Sequence, residues 1–271
     1  LKFFFKKTLI VDYRDPWTTN PFHIKRFFTF LNKLEDYLEY LVLKNADCIV
    51  VINRSFISSL QKKFKILNNT KFKVITNGFD PEDFSRIKPH FFSNKTIVHA
   101  GNFYFGRSPI KFFKAFSKIL FDNPLLKKSW QLILVGSGEE YKKEIKKLNI
   151  INNVKFLGNV PHEIALSYML GANILLLIPG LGKTTMTGKV FEYMAAKKPI
   201  FVSTNKSAVS KLINDLKIGV SSNENNISEC LLKLMNDNYD INLEKTNVDK
   251  YSRMEIAKKY SKIMDDLLTK K

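Results

Sequence analysis

Short runs that are apolar at nearly every position recur along this chain. Asp47–Ile52 reads DCIVVI, Gln131–Val135 QLILV and Ile174–Ile178 ILLLI. A strand with no polar face must be covered on both sides, and helices packed over a parallel sheet provide that cover. Each run is followed by a polar or glycine-bearing loop and then by apolar residues at helical spacing, so the alternation predicts doubly wound parallel sheets. Strands are expected at Thr8–Val11, Asp47–Ile52 and Phe72–Ile75, with helices over Phe27–Lys44 and Ser55–Phe64. Residues 81–94 lack a period and are expected to form a linker. A second alternation places strands at Thr96–Ala100, Gln131–Val135, Val154–Leu157, Ile174–Ile178, after Pro199, and at Gly219–Val220; helices over Ile227–Met235 and Lys250–Leu268 close the chain. The fold class expected is α/β, with two Rossmann-like doubly wound domains, the first incomplete. Residues 1–85 form the partial first domain, 86–249 the second, and 250–271 a helix crossing back to the first. The chain opens at Leu1 almost directly into a strand, which leads us to expect a missing N-terminal part.

In such sheets ligands bind beyond the carboxyl ends of the strands. The second domain brings Gly101–Arg107, Gly136–Glu139, Gly158–Val160 and Pro179–Lys189 to that edge, and the first brings Asp12–Trp17, with Arg14 and Asp15. The richest of these loops carries Thr184, Thr185 and Thr187 into a helix expected to open near Thr187. Free N–H groups and the helix dipole converge on an anion there. Lys189 adds positive charge, and Glu192, one turn on and on the same face, can accept hydrogen bonds from sugar hydroxyls. Arg107 precedes another helix start, where the dipole disfavours a cation unless an anion is bound. This chemistry suits a phosphorylated sugar or a nucleotide.

The formal net charge is +19, with 44 basic residues against 25 acidic. Lysine, asparagine and phenylalanine are all abundant, so compositional bias explains much of the excess; attraction to an anionic membrane surface comes next. A nucleic-acid partner is not expected, because no recognition motif accompanies the charge. Cys48 and Cys230 stand in apolar surroundings without a CxxC spacing and are expected to be reduced and buried. No apolar run reaches the ~20 residues of a membrane span. The chain is expected in the cytoplasm, at the inner face of the membrane. His23, His90, His99 and His162 lack metal-ligand spacing, and His99 is expected in the core or lining a loop. Gly136-Ser137-Gly138 falls short of the dinucleotide fingerprint.

Seven segments, in order and nearly covering the chain, resemble the C-terminal two-thirds of a GT-B glycosyltransferase of the family 4 type: DYRDPW (12–17), NADCIVVINRSF (45–56), VITNGFD (74–80), HAGNFYFGR (99–107), LILVGSGEE (132–140), VKFLGNVP (154–161) and TGKVFEYMAAKKPI (187–200). The resemblance implies a two-domain cleft enzyme that transfers sugar from a nucleotide-diphosphate-sugar to a glycan or lipid-linked acceptor, without metal ion or other cofactor. It implies that Arg107, Lys189 and Gly101 hold the donor diphosphate. Glu192, Thr184, Thr185, Thr187 and Gly188 would hold the ribose and sugar, and Gly158, Asn159 and Val160 would border the base. The family's paired-glutamate motif would put its first Glu where this chain has Thr184, as in a subset with a GKxFEY pattern. The loop that often carries a catalytic His reads Arg14-Asp15, so these two are the catalytic candidates. A GT-B sugar-nucleotide epimerase and a non-catalytic nucleotide- or polyanion-binding module are the alternative readings.

Overall fold

Every strand pairs in parallel, as continuous apolar runs require. The structure, a computed structural model, describes residues 7–20, 23, 27, 29–65, 67, 69–104, 106–180, 182, 184, 186–244 and 246–269. The chain divides into two units: Leu1–Gly78 with Tyr251–Lys271, and Phe79–Lys250.

The first unit contains β1 (Ile10–Tyr13), α1 (Thr29–Asn45), β2 (Cys48–Val51), α2 (Arg54–Lys63) and β3 (Phe72–Val74) in a three-stranded sheet of order β1-β2-β3. All four residues of β2 are buried, which fits a central strand covered on both faces. β1 runs further than expected, to Tyr13, because that ring is buried against Phe56 at 5.3 Å between centroids. Asn53 caps α2, its side chain accepting from the Phe56 amide at 3.0 Å.

The second unit begins with α3 (Pro81–Ser85), capped by Asp80 and opened by Pro81. There follow β4 (Lys95–Gly101), α4 (Ile110–Asp122), α5 (Pro124–Ser129), β5 (Trp130–Gly136), α6 (Lys142–Lys147), β6 (Val154–Gly158), α7 (His162–Gly171), β7 (Ile174–Leu177), α8 (Lys189–Ala195), β8 (Ile200–Val202), α9 (Ala208–Asp215), β9 (Gly219–Ser221) and α10 (Ile227–Met235). Residues 79–92, expected as the end of the first domain and a linker, pack on α7. The His90 amide donates to Ser167 O at 2.9 Å, the Ser167 hydroxyl to Lys88 O at 2.8 Å, and the His90 ring stacks on Tyr168. A Cβ at Gly171 would lie 2.1 Å from His90 O, so only glycine permits that approach. The core beneath the sheet is aromatic: Phe112, Phe113 and Phe116 of α4 are buried among Leu132, Leu134 and Phe201, with Leu231 and Leu234 of α10.

The six-stranded sheet has the order β6-β5-β4-β7-β8-β9. The order in which strands are added reverses between β4 and β7: β5 and β6 lie to one side, β8 and β9 to the other. β4 pairs with β5 from Lys95 to Gly101 but registers with β7 only at Ile97↔Ile174 and Val98↔Leu175. Beyond these pairs the two strands part, which is the crevice where open α/β sheets take ligands. Finally α11 (Arg253–Leu268), capped by Ser252, joins the first unit. Its Ile256 and Ile263 bury against Cys48, Val50 and Ile75.

Candidate functional site

Where β4 and β7 separate, a crevice of about 370 Å³ opens, lined by His99–Asn102, Tyr104, Arg107, Leu177, Ile178, Thr187 and Lys189. Side chains take over the work of the sheet ladder there. Tyr193, wholly buried on α8, accepts from the Ala100 amide at 2.8 Å, and its hydroxyl lies 3.2 Å from Leu176 O. Burial raises the Tyr193 pKa, so the hydroxyl stays a donor. His99 Nδ1 lies 2.9 Å from the same carbonyl. One tyrosine therefore ties the ends of β4 and β7 to the helix that carries Lys189 and Glu192.

The loop after β4 is fixed from the side of β5. The Ser137 hydroxyl accepts from the Phe103 amide at 2.6 Å, and Asn102 accepts from the Ser137 amide at 2.9 Å. Gly136, at φ +102°, lets Gly101 O approach to 2.5 Å of where a Cβ would stand. The Gly-Ser-Gly turn thus packs the loop after β4. Arg107 closes this loop with its guanidinium 4.6 Å above the Tyr104 ring, and its Nε is buried without a hydrogen-bond partner. Across the crevice the Lys189 ammonium pairs with Glu192 at 2.7 Å, their side chains 28% and 24% exposed. That bond uses one of three ammonium donors, leaving two for a ligand. The His99 ring stacks on Phe103 at 4.4 Å. Its pKa falls to about 4, first because it is buried, then because Arg107 and Lys189 repel a third positive charge; the Leu176 bond opposes both. The ring is neutral at physiological pH.

Of the residues expected from the sequence, Gly101, Arg107, Thr187 and Lys189 line this crevice together. Glu192 joins through its ion pair, and Gly188 is the residue before α8. α8 starts at Lys189, later than expected, because the first bonds of its turn run from Val190 and Phe191 to Thr187 O and Gly188 O. Seven residues make a weak dipole, so the attraction for an anion rests on the two cationic side chains more than on the helix end. Thr184 lies in the preceding loop, and Thr185 falls outside the described residues. Gly158 ends β6, an edge strand three places from β7, and Asn159 and Val160 follow it; the three line neither this crevice nor its neighbour. Arg14 and Asp15 belong to the first unit. Arg14 donates to Asp12 at 2.9 Å, to the Tyr260 hydroxyl at 3.1 Å and to Asn77, while Asp15 is exposed. Three protein partners give Arg14 a structural task, binding the ends of β1 and β3 to α11.

His99, expected in the core or lining a loop, is buried and lines the crevice; sequence reasoning did not reach the loop after β8. A neighbouring crevice of about 400 Å³ is lined by Gly106, Ser108, Lys111, Ile178, Pro179, Gly180, Gly182, Ser203, Thr204, Lys206, Ser207 and Glu224. The strand-end rule that selected the other loops would have selected Ser203–Ser207 as well. Among the described residues no group of three or more His, Cys, Asp or Glu is placed to hold a metal ion.

Residues 81–255 match the family described as Glycosyl transferases group 1. No match was found among curated proteins. The chain is similar to Anabaena Alr3699/HepE in complex with UDP, with TM-score 0.71 and 16% identity over 98% of this chain and 74% of that one. It is also similar to a glycosyltransferase from Rickettsia africae ESF-5, with TM-score 0.67 and 19% identity over 90% of this chain and 69% of that one. A third similar structure is sucrose-phosphate synthase (tll1590) from Thermosynechococcus elongatus, with TM-score 0.65, 17% identity and 88% of this chain covered; this chain spans 63% of its length. At such identities the likeness is one of fold.

Proposed function

The chain belongs to the group 1 glycosyl transferases, and from that premise we propose that it takes a nucleotide-diphosphate-sugar and moves the sugar to a polysaccharide or glycolipid acceptor, as members of the family 4 type do. The observation that carries this reading is the crevice at the strand switch, where Arg107 and Lys189 converge with Glu192 beside them. Two fixed cations match a diphosphate, and a carboxylate one turn away matches the vicinal hydroxyls of a sugar. A fold relative crystallised in complex with UDP and glucose supports the same ligand class. Because the diphosphate is also the leaving group, cations held here stabilise charge as it develops, a task a metal ion performs in other transferases. In this reading Gly101 lets the diphosphate approach the backbone, Thr184, Thr185, Thr187 and Gly188 border the sugar, and Gly158–Val160 border the base.

Calorimetry with pyrophosphate and with UDP, GDP and ADP tests the assignment. Arg107→Ala and Lys189→Ala should each weaken pyrophosphate and the preferred nucleotide by roughly 10- to 100-fold. Glu192→Ala should weaken the nucleotide and spare pyrophosphate. Unchanged nucleotide affinity in Lys189→Ala or Glu192→Ala would falsify the donor-site assignment.

Among the described residues no helix is long and apolar enough to cross a membrane. We further propose that the excess of 44 basic over 25 acidic residues draws the protein to an anionic membrane surface on the cytoplasmic side. Such a surface would present a lipid-linked acceptor.

A further inference from the structure

A ring nitrogen that has left water without finding a partner is costly, and His99 Nε2 is such an atom. The residue is 4% exposed and Nε2 has no hydrogen-bond partner. Its orientation is settled by the other nitrogen. Nδ1 lies 2.9 Å from Leu176 O, a group that can only accept, so Nδ1 carries the proton and Nε2 the lone pair. Stacking on Phe103 holds the ring in place. A Cβ at position 101 would stand 3.8 Å from Nε2, in contact with it; Gly101 puts no side chain against that edge of the ring, and both residues line the crevice.

Two cations of the same wall, Arg107 and Lys189, donate and cannot accept, so a hydroxyl hydrogen beside them needs another acceptor, and Nε2 has no other claim on its lone pair. A carboxylate at this point could accept that hydrogen, but it would repel the diphosphate beside it. A neutral imidazole accepts without repelling, and its burial, helped by the same two cations, keeps it neutral. We propose that His99 Nε2 accepts a hydrogen bond from a ligand hydroxyl next to the diphosphate, on either the ribose or the transferred sugar. This rests on the donor-site reading above.

Wild type and His99→Phe, which keeps an aromatic ring over Phe103 and removes the acceptor, are titrated with pyrophosphate, with UDP, GDP and ADP, and with the glucose conjugates of these nucleotides. Pyrophosphate affinity should be the same for both proteins, while the hydroxyl-bearing ligand that wild type prefers should bind the variant about ten-fold more weakly. A loss already present with the nucleoside diphosphate assigns the hydroxyl to ribose. A loss confined to the glucose conjugate assigns it to the transferred sugar. Equal affinities of the two proteins for every hydroxyl-bearing ligand overturn this proposal and leave the donor site standing. Wild type that binds pyrophosphate but no nucleotide overturns both. If the variant does not fold, nitrogen-15 spectra of the wild-type histidines decide. Nε2 should be unprotonated in the free protein and should shift with the preferred nucleotide but not with pyrophosphate; a protonated or unresponsive Nε2 overturns the proposal.

Discussion

His99 also ties the stability of the fold to pH. Its folded pKa of about 4 lies below the ordinary value of 6.5, so between these limits the unfolded chain takes up a proton that the folded chain refuses. The sign follows directly: the contribution is complete above about pH 6.5, shrinks as the pH falls, and is gone below about pH 4. Its full size is about 3 kcal/mol. Urea unfolding of wild type and His99→Phe at intervals from pH 7 to pH 4 should show wild type losing about 3 kcal/mol more than the variant. Parallel profiles would mean that the ring is not buried neutral. Little of this was legible in the sequence. His99 could be placed near the end of a strand, but the carbonyl that fixes its tautomer belongs to Leu176, 77 residues away. Arg107 and Lys189 were legible because a cation near a helix start is locally out of place, and a local misfit needs no knowledge of the fold.

Strands read more easily than the faces of helices. Central strands of a parallel sheet are apolar on both sides, and β2, β5 and β7 announce themselves by that alone. The period of α1 marks a helix equally well but misleads about its orientation. Phe30, Leu34, Leu38 and Val42, one stripe at four-residue spacing, are exposed, whereas Glu39 is wholly buried. Glu39 accepts from the Tyr13 and Thr18 hydroxyls and pairs with the Lys63 ammonium, which also bonds Asp36. A charge so enclosed stays only because each oxygen is engaged. Glu39→Ala would leave the Tyr13 hydroxyl hydrogen without its acceptor, the oxygen keeping the Trp17 amide, and would remove one of the two Lys63 ion pairs. We expect a loss of about 3 kcal/mol, the low end for breaking a buried pair because Asp36 remains. It should appear as a lower urea midpoint at unchanged slope, with Glu39→Gln intermediate. A midpoint equal to wild type would show that the network contributes nothing net. Residues 79–92 were illegible for a similar reason: they lack a period of their own, and their partners, such as Ser167 for Lys88, lie 79 positions on.

Across the whole chain, pairing cannot absorb the charge. Ion pairs such as Lys111 with Glu224, Lys233 with Glu229 and Lys258 with Glu255 each use an acid. With 25 acids for 44 bases, however, the net of +19 remains however the side chains are arranged. An excess of that size must seek counter-ions, and a surface of anionic lipid supplies them at a gain of about 1 kcal/mol for each lysine that reaches it. Three or four such lysines suffice for a preference of roughly 100- to 1000-fold over neutral lipid. The attraction acts over about 8 Å at physiological ionic strength and about 3 Å in molar salt, so it should fade as salt is added. Sedimentation with vesicles of phosphatidylcholine alone and with a quarter phosphatidylserine checks this. The protein should pellet with the anionic vesicles, remain in solution with the neutral ones, and leave the anionic vesicles as salt rises towards molar. Insertion of the exposed α1 stripe would instead give binding to both vesicle types that survives salt. Recovery in the supernatant with anionic vesicles at physiological salt would sink the membrane reading and leave the excess lysine as compositional bias.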